Sequence, residues 1–368
     1  MTWEFAVRRA ILLAVGTALS VGPMALLASS AAAETKAPAA AYKAPRNIFG
    51  QPDLSGFWSN ASLTPMTRPA SAGGKAVYTE GEVKKLEAQV VAEVDEGNAD
   101  TDPDAPAEAP KVTSANVRPE FAAAGGDVGG YNRGWLDPGS HVMRVGGEPR
   151  TSILTTPNGQ PPRRKDGAPT TPRMGAGMGP FDSYESRSAG ERCIMSFGRN
   201  AGPPMFAHGF YNNNYQIFQT KDAFLIEVEM IHDLRVVRLN SQHRTDGLRP
   251  LMGDSIGRWE GDTMVVETTN IPQSQAWMGS WKDLKIVERF TRVGKNRVHY
   301  AFTAEDPTFW DKPWGGEYEF SPLKGVIYEY ACHEGNYALP GILAGARAEE
   351  AEKAKAAMAK PATTGSAN

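Results

Sequence analysis

The chain has 368 residues and a formal net charge of −3. That length suits one large domain or two modest ones, and the charge carries no electrostatic footprint for a nucleic-acid partner.

Arg8 and Arg9 precede a moderately apolar run that ends in small residues around Ala31–Ala33. This is the layout of an export signal cleaved near Ala33, and the paired arginines also allow the twin-arginine route. Pro23 and several glycines interrupt the run, which argues against a retained membrane anchor, so no span is expected in the mature chain. The expected location is the periplasm or the medium. Residues 34–48, rich in Ala, Pro and Lys, read as a flexible leader. In an oxidising compartment Cys193 and Cys332, the only cysteines, most simply form one disulfide. A catalytic thiol is the alternative, disfavoured because an exported free thiol is liable to oxidation.

Residues 49–190 begin with a short strand through Gly56, Phe57 and Trp58 and continue as an irregular Pro/Gly-rich segment. That composition either wraps a core built elsewhere or stays mobile. Within it, "TEGEVKKLEAQVVAEVDEG" predicts one amphipathic helix, with Thr79 as N-cap and Glu82 completing a capping box. Residues 191–340 are expected to form the barrel domain, and from Asn213 the character changes to β-rich runs with period-two alternation. Turns are expected at Lys221-Asp222, near His232-Asp233, at Glu260-Gly261-Asp262, at Gly294-Lys295-Asn296, and at Ser321-Pro322 between a last pair of strands. Hairpins without intervening helices predict a mainly β protein, an antiparallel meander that best avoids exposed edges by closing into a barrel. Residues 341–368 read as a charged, Ala-rich helix and a disordered end.

"GDSIGRWEGDTMVVETTN" (253–270) contains a Gly-Asp-Ser string, but Ser255 runs straight into a hairpin rather than a helix. Gly253-Asp254-Ser255-Ile256-Gly257 has the spacing of a G-x-S-x-G elbow, but that elbow needs a strand-to-helix turn, which is not expected here, so a serine hydrolase is not expected either. The stretch is structural first, with Gly261 and Asp262 supplying turn chemistry. Together with "VERFTRV", "EDPTFWDKPW", "YEYACHEGN" and the opening "DLSGFWS", it resembles a large family of exported bacterial proteins of unassigned function. The resemblance covers about residues 49–60 and 190–345; it implies export and β architecture, and carries over no catalytic residue. Gly-x-Trp in both "SGFWS" and "IGRWEG" is similar to the signature that opens lipocalin-like barrels, which favours a calycin-like barrel over a sandwich.

Candidate site residues are polar groups on strand faces that otherwise read apolar. Phe224, Ile226, Val228, Met230 and His232 share one face, with Glu227 and Glu229 on the other. Leu284, Ile286, Glu288 and Phe290 share another, and Val298, Tyr300 and Phe302 a third, which leaves His299 and Glu305 outside. A carboxylate inside a barrel has its pKa pushed up by burial and pulled back by a nearby cation, so a barrel interior can hold an acid–base pair without any cofactor. His232 and Glu288, with Arg235 or Arg238 to hold an oxyanion, form the best such set; His333, beside Cys332, offers an imidazole at a barrel mouth. The alternative is a buried polar network in which Glu288 pairs with an arginine and His232 is satisfied by backbone. His243, in a loop, and Glu267 are candidate ligand contacts. Trp277, Trp281, Trp310 and Trp314 either plug the barrel ends or line a mouth for a flat apolar, aromatic or sugar-like molecule. His208, His232, His243 and His333 lack metal-ligand spacing, so neither metal nor cofactor is expected.

Two functions follow. One is a cofactor-independent lyase, hydratase or isomerase working inside the barrel on a small apolar, aromatic or sugar-derived molecule. The other is a non-catalytic binding protein for such a ligand, or a structural envelope component. The mutual position of His232 and Glu288 separates them.

Overall fold

A computed structural model describes residues 42–97, 137, 139–169, 180–207 and 211–359. The expected export signal, most of the leader, His208 and the last residues of the tail lie outside the described residues.

Nine strands close into a lipocalin-like barrel. They are β1 (Gly56–Ser59), β4 (Asn214–Gln219), β5 (Ala223–Val228), β6 (Leu234–Leu239), β7 (Asp254–Glu260), β8 (Thr263–Thr269), β9 (Lys285–Gly294), β10 (Arg297–Glu305) and β11 (Trp314–Pro322). A separate small hairpin pairs β2 (Arg144–Val145) with β3 (Glu148–Pro149). Around the barrel the order is β1-β11-β10-β9-β8-β7-β6-β5-β4, and β4 returns to pair antiparallel with β1. The period-two faces emerge as expected: Phe224, Ile226, Val228, Ile286, Phe290, Val298, Tyr300 and Phe302 are all buried. Alternation puts one face of each strand into a common core.

Two parts of the meander differ from the expectation. The β6–β7 pair is parallel, with Arg238 opposite Ile256 and Leu239 opposite Gly257, because residues 240–253 cross over instead of turning back. Gly257 permits the close approach: a Cβ there would lie 2.8 Å from Val237 Cγ1. The last strand pair about Ser321-Pro322 is absent. β11 ends there and "GVIYEYACHE" runs on without strand structure. Both edges of β11 are already occupied, one by β10 and the other by β1 at Ser321–Pro322. Farther along that second edge the N-terminal wrap completes it, Thr155 N–H donating to Gly315 O and Glu317 N–H to Ile153 O. Closure leaves no edge for a returning strand.

The wrap is therefore part of the body. Leu54, Met143, Ile153 and Leu154 share the core with the strands. Helix α1 (Glu80–Gly97) starts at the expected capping box, Thr79 N–H donating to Glu82 Oε2 and Glu82 N–H to Thr79 Oγ1. Helix α2 (Ala338–Ala359) has no buried residue. The disulfide Cys193–Cys332 is formed. It joins positions 139 residues apart, a closure that in the chain-entropy model contributes about 4–5 kcal/mol.

Candidate functional site

The barrel interior is polar at its centre and filled by the protein's own chain. Arg235 on β6 and Glu288 on β9 point inward and meet, Arg235 Nη2 donating to Glu288 Oε2 at 2.7 Å with both side chains buried. Tyr300 on β10 donates its hydroxyl to Glu288 Oε1 at 2.9 Å. Asn60, just past β1, donates to the hydroxyls of Tyr215 (3.1 Å) and Tyr318 (3.2 Å). Into this ring runs the segment 199–206, of which Ala201 and Met205 are wholly buried. The Met205 N–H donates to Tyr300 Oη at 2.9 Å, and Tyr318 Oη donates to the Met205 carbonyl at 3.1 Å. Arg235 Nη1 donates to Ala201 O at 3.4 Å. Buried loops are uncommon because their backbone groups go unsatisfied; here barrel side chains satisfy them.

These environments fix what the groups can do. Desolvation raises the Tyr300 phenol well above its ordinary pKa, and the Glu288 charge raises it further. Desolvation likewise raises Tyr318 and Tyr215, the latter partly offset by its bond from Asn60. All three stay protonated at neutral pH and do not serve as bases; Tyr300 and Tyr318 donate, and Tyr215 accepts from Asn60. Both oxygens of Glu288 are engaged, one by Arg235 and one by Tyr300.

The proposed partner of Glu288 is elsewhere. Strand β5 ends at Val228, and the following turn holds Ile231 at φ 59° and His232 at φ 45°. The period-two alternation stops there and His232 swings to the exposed surface, so His232 and Glu288 do not form a pair. The same turn buries Glu229, which a continuous strand would have left outside: it accepts from Asn214 Nδ2 at 2.7 Å and from the Tyr328 N–H at 3.1 Å. Asp233 is buried beside it and accepts from the Ser196 N–H at 2.7 Å. His333 is also exposed, on the turn after Cys332. Arg238 lies three residues from Arg235 on the same strand and so faces outward, donating to Asp254 Oδ1 at 2.8 Å.

His243 and Glu267 are brought together on the outside of the wall. His243 Nδ1 lies 3.0 Å from Asp254 Oδ2, and its Nε2 lies 3.2 Å from Glu267 Oε1. Burial pushes the Asp254 carboxyl up, but the Arg244 N–H, His243 and Arg238 outweigh it and hold its pKa below the usual value. Both imidazole nitrogens are thus occupied, and the cluster pins the crossover to β7 and β8. Ser255 faces the other way, its hydroxyl 2.8 Å from that of Thr268 inside the wall, so the Gly-Asp-Ser string assembles no serine–histidine pair. Among the described residues, no group of three His, Cys, Asp or Glu side chains is placed to hold a metal ion.

The tryptophans close one end of the barrel. Trp277 stacks on Trp314 with ring centroids 4.8 Å apart, Trp310 meets Trp314 edge-on at 5.3 Å, and Phe206 and Phe302 pack against Trp277. Arg199 lies over Trp277 at 5.8 Å. It keeps some solvent contact, while desolvation of the remainder lowers its pKa to about 10. Trp281 stands apart, partly buried, with Arg249 over its ring at 5.2 Å. Against this aromatic end lies a pocket of about 350 Å³, walled by Thr155–Pro157 of the wrap, by Phe302 and Thr303, and by Pro313–Gly315.

Sequence reasoning found Arg235, Glu288, Trp277 and Trp314 but missed Tyr300, Tyr318, Tyr215 and Asn60. Tyr300 lies on a face that the period reads as apolar, and no face is assigned from sequence to Tyr215 or Tyr318; their hydroxyls, which need partners when buried, are the available signal. Fold and site define a closed β-barrel that carries its own chain as a plug and an aromatic pocket at one mouth. Comparison with family models, with curated proteins and with solved structures gives no match. Among the described residues no helix is long and apolar enough to cross a membrane.

Proposed function

We propose that this is an exported, non-catalytic binding protein that takes a small planar apolar molecule at the aromatic mouth. The observation that carries the reading is the pocket between Thr155–Pro157 and Phe302/Trp314, backed by the Trp277–Trp314 stack. Its volume falls at the lower end of the range for small-molecule sites; the cleft is open, with Phe302 and Trp314 buried at its back and threonine, proline and glycine forming the rest of its lining. Export is supported by the signal-like N-terminus and by the disulfide, which persists in oxidising compartments.

Titration with naphthol, followed by tryptophan fluorescence, tests the reading. Saturable one-site quenching is expected, and Trp314→Ala should weaken it by about tenfold, or 1.4 kcal/mol. Absence of saturable binding, or equal affinity in Trp314→Ala, would refute it.

A second reading, a cofactor-independent acid–base lyase, hydratase or isomerase, keeps one specific support: the contact of Glu288 with Arg235 and Tyr300. It has lost His232 as a partner and requires the plug to leave. Turnover abolished by Glu288→Gln in a folded protein would favour it over binding alone.

A further inference from the structure

We infer that the barrel interior is itself a peptide-binding chamber, and that residues 199–206 are its resident, displaceable occupant. This site is distinct from the aromatic pocket and does not depend on it.

The barrel wall reads the main chain of one residue from both sides. Tyr300 Oη accepts the Met205 N–H at 2.9 Å, and Tyr318 Oη donates to the Met205 carbonyl at 3.1 Å. Recognition of both backbone groups of one residue, with its side chain sunk in an apolar socket, is how proteins bind extended peptides without reading every side chain. Tyr300 is held by Glu288 and Tyr318 by Asn60, so both hydroxyls are positioned by groups behind them. Met205 is wholly buried and Phe206 nearly so. The occupant is therefore a segment with a free N–H at the central residue, which excludes proline there, and with large unbranched or aromatic side chains at that residue and the next.

The plug leaves the chamber incompletely answered. Asn60 Oδ1, Arg235 Nε and Asn200 Oδ1 are among the buried side-chain atoms of the fold without a protein hydrogen-bond partner, whereas buried polar groups of proteins are normally paired. Asn60 and Arg235 are barrel groups of the chamber itself, one presenting an unmet acceptor and the other an unmet donor. The segment is irregular backbone whose bonds to the barrel run from its main chain to barrel side chains rather than to a strand edge.

Two measurements on the full chain test this. In hydrogen exchange of the wild type, the Met205 amide should exchange at least tenfold faster than buried amides of β9 and β10, reporting opening without global unfolding. Exchange of Met205 only with those strands would overturn the displaceable plug. Gly202→Val then evicts the segment, because a Cβ at Gly202 would lie 2.7 Å from Met205 Cγ and 2.9 Å from Arg235 Nη1, at a φ of +70°. A fluorescein-labelled peptide of sequence RNAGPPMF should bind this variant saturably and wild type at least tenfold more weakly, and adding Tyr318→Phe should cost about tenfold. A folded Gly202→Val protein that ignores the peptide, or one whose binding is indifferent to Tyr318→Phe, overturns the peptide chamber. Naphthol binding run in parallel reports the aromatic pocket separately.

Discussion

Arg235 and Arg238 lie three residues apart on one strand and meet opposite fates. Arg235 points into the barrel and pairs with Glu288 with both side chains buried, whereas Arg238 points out and pairs with Asp254 while 42% of its own side chain remains exposed. The chemistry is the same guanidinium–carboxylate contact at 2.7 and 2.8 Å. What differs is the cost of breaking it. Inside, a lost partner strands a charge away from water; outside, Arg238 is open to water and Asp254 keeps His243 and the Arg244 N–H when Arg238 is lost. The inner pair is thus a fixed part of the core, and the outer cluster is a clamp that responds to salt and pH.

The largest break in this comparison should come from Glu288→Ala, which leaves Arg235 buried without its carboxylate. A loss of about 3–5 kcal/mol in urea denaturation is expected, while Arg235→Met with Glu288→Leu should recover most of it. If the single variant costs no more than a surface substitution, the interior is wetter than its burial implies.

On the outside, Arg238→Ala should cost only about 0.2–1 kcal/mol, and high salt should erase the difference. Equal costs at low and high ionic strength would contradict an ion pair whose arginine is open to solvent.

The smallest effect is one of sign, and it contrasts two carboxylates. Asp254 has a folded pKa held below 3.8, so its contribution is fully present above about pH 4 and is lost as pH falls towards the folded value. Asp233 is raised above 3.8, chiefly by desolvation, against the bonds from Ser196. Its linkage runs the other way: stability is greatest below about pH 4 and declines as pH rises through the folded pKa. Denaturation midpoints between pH 3 and 6 should therefore lose a positive slope in Asp254→Asn and a negative one in Asp233→Asn. Slopes of the same sign in both would refute the assignment.

Much of this fold follows from local rules written in the sequence. Alternation on β5, β9 and β10 fixes which side chains face the core, glycine and asparagine mark the turns, and Thr79 with Glu82 marks a helix start; each depends on residues close together in the chain. The disulfide was legible because only two cysteines were available to form it. Tertiary structure alone decided the rest. His232 left the inner face because a turn with two positive-φ residues ended the alternation, and the closed edges of β11 denied "GVIYEYACHE" a strand partner. The segment 199–206 occupies the interior because Tyr300 and Tyr318 meet its backbone there. Those outcomes depend on contacts between residues tens to hundreds of positions apart, and period and propensity do not encode them.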